Sequence, residues 1–194
     1  MKTHSRHMCF VYEGDPSRQL PALAAMLQMK LNEGFRCMYL HNPSMVAGMR
    51  STLTMFGIDV EREIAQNRLI LSSDPVTSPD GSFDTDSMLR LLENTLDQAL
   101  KDGFKGLWAT GDMMWEFGSE KNLEKLLDYE HKLEEIFQRR SELCGICQYH
   151  YDTLPYQITE HGLSAHQAAF VNGTFSRVNP HFVPAGRSGN SVGV

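Results

Sequence analysis

Thr110, Gly111 and Asp112 close the apolar run Leu107-Trp108-Ala109, so a hydroxyl and an acid emerge where a buried strand ends. In open α/β sheets ligands bind at such strand ends. An acid at this place would hold a metal in a phosphate-transferring protein, yet no Gly-Lys-Ser or Gly-Lys-Thr occurs in the chain to cradle phosphates. A lone carboxylate without phosphate oxygens binds a cation weakly, so Asp112 is better suited to capping a turn or accepting from a ligand hydroxyl.

Other strand ends carry similar groups. Gln148 and Tyr149 close a later apolar run, Tyr12 and Glu13 close the first, and His41 ends the second. Met113 and Trp115 follow the Asp112 strand end, where large apolar groups are wasted unless they cover something. Polar groups converging over an apolar floor describe a small-molecule pocket. Glu130 joins them from a helix: it lies on the stripe of Leu123, Leu126, Leu127, Leu133 and Phe137. A carboxylate on that face must hold a partner, fix a loop or touch a ligand, because an uncompensated buried charge is costly.

Several chemistries are absent. Cys144 and Cys147 sit three apart in an expected strand, which turns their thiols to opposite faces and removes both a redox pair and half a zinc site. The four cysteines read as small buried hydrophobes. His7, His131, His150, His161, His166 and His181 show no metal-ligand spacing, and no Gly-x-Ser-x-Gly elbow is present. No catalytic residue, metal site or cofactor is expected.

The elements that must position these groups alternate. Short β-type runs over 7–12, 35–41, 68–71, 106–111 and 143–149 are separated by helical periodicity over 20–33, 42–56, 59–66, 84–103, 119–138 and 155–162. Segments 168–171 and 174–178 flank Asn172-Gly173, a strong hairpin signal. The pattern predicts an α/β fold of three layers, a mostly parallel sheet with an antiparallel edge. Residues 72–84, rich in Ser, Asp, Pro and Gly, are a candidate lid.

With 194 residues, 41% hydrophobic and 22% charged, the expectation is one globular domain over 7–184, with tails at 1–6 and 185–194. No apolar run approaches the roughly 20 residues a bilayer requires, and no signal peptide is evident, so the expected location is cytoplasmic. A net charge of -6 without a basic block argues against nucleic acid.

Taken in order, His7-Met-Cys-Phe-Val-Tyr-Glu13, Gly34-Phe-Arg-Cys-Met-Tyr39, Phe83-Asp84, Thr110-Gly-Asp-Met-Met-Trp115, Tyr129-Glu130, Cys147-Gln-Tyr149 and Asn179-Pro-His-Phe-Val-Pro184 resemble the MEDS domain. That is a sensory domain named for methanogens, methylotrophs and a dichloromethane-responsive repressor. The resemblance implies a RecA-like or KaiC-like fold without its phosphate-binding loop, with 13–18 standing in that loop's place. It also implies sensing of small organic compounds, hydrocarbon derivatives among them, beside a kinase or transcription-regulator output. Against that pattern, no output module is expected within these 194 residues, and His150 stands where an acid is expected.

The leading expectation is a non-enzymatic signalling module that binds a small organic molecule through Tyr12, Glu13, His41, Thr110, Asp112, Met113, Trp115, Glu130, Gln148 and Tyr149, and relays to a partner protein, with self-association also open. Two rivals are a nucleotide-dependent enzyme, with Arg18 or Lys30 replacing the missing lysine and Asp112 holding Mg²⁺, and an interaction scaffold whose cleft is filled by Met113, Met114 and Trp115.

Overall fold

The structure, a computed structural model, describes residues 6–74, 76–113, 122–166, 168–171 and 175–178. Its strands are β1 His7–Tyr12, β2 Arg36–Leu40, β3 Leu69–Ser72, β4 Leu107–Asp112, β5 Leu143–His150, β6 Ala168–Val171 and β7 Phe175–Val178. The helices are α1 Leu20–Glu33, α2 Pro43–Met55, α3 Val60–Ala65, α4 Thr85–Lys101, α5 Leu123–Arg139 and α6 Tyr156–Ala165. One sheet runs in the order β3-β2-β4-β5-β1-β6-β7, parallel throughout except for β7, which pairs antiparallel with β6. The expected α/β architecture and its antiparallel edge are therefore present.

Local chemistry sets the helix starts. Asn42 accepts from the Met45 amide at 3.0 Å with Pro43 in the first turn. Asp84 caps α4 through the Ser87 amide at 2.9 Å, and Asn122 caps α5 through the Lys125 amide at 3.0 Å. Each such cap satisfies an amide that the helix itself cannot. The Asn122 cap corrects the expected α5 start at Ser119, which lies outside the described residues, as do Met114, Trp115 and the Asn172-Gly173 turn.

Strands β1 to β6 alternate between two cores. Phe10, Tyr12, Cys37, Tyr39, Trp108 and Ile146 pack beneath α1, α2 and α3; Cys9, Val11, Met38, Ala109, Cys147 and Tyr149 pack beneath α4, α5 and α6. Cys144 falls with the first set and Cys147 with the second, so the two thiols do diverge.

Residues 76–84 of the expected lid are tied to the domain. Thr77 bridges Phe83, the Asp84 amide donates to the Val76 carbonyl at 3.0 Å, and the buried Phe83 ring meets Tyr129 edge-on at 5.4 Å. An aromatic anchor of this size holds the loop to α5.

Candidate functional site

The parallel sheet divides the polar residues at its C-terminal edge into two groups. Facing α1 and α2, the Tyr12 hydroxyl donates to Asp112 Oδ2 at 3.1 Å, and His41 Nε2 stands 3.7 Å from the same oxygen. The Asn42 amide donates to His41 Nδ1 at 2.8 Å, which leaves the imidazole proton on Nε2. Gln148 donates to the Thr110 hydroxyl at 2.9 Å, which donates to the Ile146 carbonyl at 2.7 Å. Burial lowers the His41 pKa, with Asp112 opposing it, and burial raises Tyr12 and Tyr39. The Tyr39 hydroxyl and His41 Nε2 are buried without a hydrogen-bond partner among the described residues.

On the opposite face lies a second, fully enclosed group. Glu130 accepts from the Tyr149 hydroxyl through Oε1 in a short hydrogen bond. Its Oε2 is 3.4 Å from His7 Nε2, 3.5 Å from His166 Nε2 and 3.9 Å from Cys147 Sγ. His7 Nδ1 is 2.9 Å from Glu134 Oε2, and Cys147 Sγ is 3.5 Å from His7 Nε2. His7 also stacks on Phe137 at 4.5 Å. Burial opposes charge on Glu130, but His166 and His7 outweigh it and hold the carboxyl at about 2. Burial likewise opposes the His7 cation, yet its bonds to Glu130 and Glu134 raise its pKa, whereas burial and the neighbouring His7 bring His166 down to about 4. His7, Glu130, Cys147 and His166 offer four donor atoms within 4.8 Å of one another, the set here that could hold a metal.

The nine described residues of the ten expected to share one pocket do not come together. Tyr12, His41, Thr110, Asp112 and Gln148 face one core, and Glu130 and Tyr149 face the other. Gln148 and Tyr149 are consecutive in β5 and so point to opposite sides, by the same alternation that separates the two cysteines. Met113 is buried among α4 and α5 side chains beside a small apolar cavity of about 30 Å³, and Glu13 is exposed on the loop after β1. Trp115 lies outside the described residues.

Sequence reasoning missed His7, Glu134, Cys147 and His166 as members of the second group. The signals available were the spacing of Glu130 and Glu134 on one helical face, and the shared strand face of Cys147 and Tyr149. Nothing local links His7 to Cys147, 140 residues apart.

The loop after β1, where a phosphate cradle would lie, is tied down by two carboxylates, its own Asp15 and Asp152 from the turn after β5. The Gly14 amide donates to Asp152 at 2.7 Å and the Ser17 amide to Asp15 at 2.8 Å, while His150 donates from Nε2 to the Gly14 carbonyl at 2.8 Å. Next to it, between β1, the residues after β5 and α6, runs a groove of about 590 Å³ walled by Val11, Tyr151, Tyr156, Thr159, Glu160 and Leu163. Thr159 Oγ1 is buried without a hydrogen-bond partner among the described residues.

A parallel sheet in which β5 separates β1 from β4, helices on both faces and a β1 loop without a phosphate cradle define a KaiC-like, RecA-type fold. A solved structure with this fold is the KaiC-like protein PH0186 from the hyperthermophilic archaeon Pyrococcus horikoshii OT3, which is similar at a TM-score of 0.57 and 14% identity, over 86% of this chain and 71% of that one. Residues 6–167 match the family described as MEDS, the methanogen/methylotroph, DcmR sensory domain. The chain belongs to that family of sensory domains. No curated protein sequence matches it.

Proposed function

We propose that this domain is a non-enzymatic, cytoplasmic sensor that binds a small, largely apolar organic molecule at the C-terminal edge of its sheet and passes the change to a separate partner protein. The observation that carries the reading is the groove beside α6: its volume suits a small molecule, two tyrosines line it, and the buried Thr159 hydroxyl supplies a polar contact that the described protein groups leave unused. The four free cysteines agree with a reducing compartment.

Transmission runs through α6. Gly162 lies so close to the Tyr149 ring that a Cβ there would stand 2.4 Å from Cζ, so a ligand that shifts α6 presses directly on the Glu130 group. Differential affinity of the ligand for two α6 positions is what would drive the signal.

The nucleotide-enzyme alternative loses support at the β1 loop, because the amides that would cradle phosphates donate to Asp152 and Asp15, and two carboxylates there repel a polyphosphate.

The test is thermal stability against halogenated, methylated and aromatic small molecules, with Mg-ATP alongside. A bound ligand at 100 times its Kd adds about 2.7 kcal/mol, and Tyr156→Ala and Thr159→Val are expected to shrink the shift. Silence across the organic panel, or a response to Mg-ATP alone, removes the sensor reading.

A further inference from the structure

The buried group around Glu130 is built as a ligand set. Metal bonds of ~2.0 Å to nitrogen and oxygen and ~2.3 Å to sulfur put tetrahedral donor atoms about 3.3–3.6 Å apart. Around Glu130 Oε2 and His7 Nε2 the separations are 3.4, 3.5, 3.5 and 3.9 Å, and the remaining pairs lie within 4.8 Å. No pair need close by more than about 1.5 Å to reach these separations.

Each donor is also aimed by a neighbour. A carboxylate and a carbonyl only accept, so His7 Nδ1 must carry the proton toward Glu134 and His166 Nδ1 the proton toward the Gly162 carbonyl at 2.5 Å. Both Nε2 atoms then face the centre, that of His166 with its lone pair and that of His7 with a lone pair once any second proton has left. The Tyr149 hydroxyl occupies Glu130 Oε1 and leaves Oε2 for the centre. Glu134 is itself held by Gln138 at 3.0 Å. This carboxylate-to-histidine support is the outer shell that fixes ligating imidazoles in metal proteins.

We propose that His7 Nε2, Glu130 Oε2, Cys147 Sγ and His166 Nε2 form a closed, four-coordinate site for a divalent transition-metal ion of zinc's class, with Glu134, Tyr149 and the Gly162 carbonyl as its outer shell. Two neutral imidazoles, one carboxylate and one thiolate suit a borderline-soft ion, and their two negative charges balance it where water is excluded. On binding, Cys147 loses its thiol proton and His7, where it is cationic, the proton on Nε2, both to solvent. The site joins β1, β5, α5 and the end of α6, so the ion fastens two strands of the sheet to two helices far apart in sequence. The inference is independent of the groove.

The experiment uses tag-free full-length protein. Metal content is measured as purified, before any stripping, and one equivalent per chain is expected. Chelator-treated protein is then titrated with Co²⁺, where a thiolate-to-cobalt absorption and intense tetrahedral bands should appear. Cys147→Ser should remove the thiolate band, and Glu134→Gln should weaken Zn²⁺ binding 10–100-fold at unchanged stoichiometry. His131→Ala, at an exposed position on α5, should change neither. Substoichiometric metal in the purified protein, or a thiolate band that survives Cys147→Ser, overturns the assignment, the first leaving His7 and Glu130 as a proton-sharing pair. Because metal content is read before stripping, loss of fold on chelation does not obscure the result.

Discussion

At the scale of single residues, burial decides protonation. His41 has its pKa lowered from 6.5 by burial, so the folded state disfavours the imidazolium. Its contribution to stability is therefore complete above pH 6.5 and is lost as pH falls through the lower folded value. His41→Asn is expected to melt with a shallower loss on acidification below 6.5 than the parent; identical slopes in thermal melts would show that His41 binds its proton equally well in the folded and unfolded chain. Gly145 tests close approach. A Cβ there would lie 2.4 Å from the Ala109 carbonyl oxygen and 3.4 Å from the Phe137 ring, so Gly145→Ala should cost about 1–3 kcal/mol in urea unfolding. Glu130 was legible as a buried acid from its place on an apolar stripe. Its partners were not, because all four, His7, Cys147, Tyr149 and His166, approach from other elements.

At the scale of elements, the helices obey their local signals closely. Asn42, Asp59 and Asp84 cap where the sequence suggests, since the interaction lies within three residues. Segment 72–84 shows where composition misleads: its Ser, Pro and Gly content reads as a mobile lid, yet one aromatic, Phe83, buries itself against Tyr129. Phe83→Ala should cost about 3–5 kcal/mol and open this loop to protease while β1 and β5 stay protected. Cleavage rates matching the parent would mean that the Thr77–Phe83 bridge and the Asp84–Val76 hydrogen bond hold the loop without the ring.

At the scale of the whole molecule, sheet order places β1 between β5 and β6, and this single fact assembles both the Glu130 group and the pinned loop after β1. The loop's amides are committed to carboxylates, so no ATP turnover is expected in a phosphate-release assay. Turnover that vanished on Asp112→Asn would reverse that expectation and reopen the enzyme reading. The family is one of sensory domains and the fold is similar to that of a KaiC-like protein, and the groove beside α6 is where a ligand test should concentrate.

Alternating apolar periods of strand and helix, cap residues and the hairpin signal were readable along the chain because each depends on neighbours a few residues away. From them came the α/β class, the parallel core and the antiparallel edge. Which strand end faces which helix layer depends on strand parity counted from an exact start, and the sheet then separates Gln148 from Tyr149 and Tyr12 from Glu130. The meeting of His7, Cys147 and His166 depends on strand order, set by long-range packing, and no local spacing encodes it.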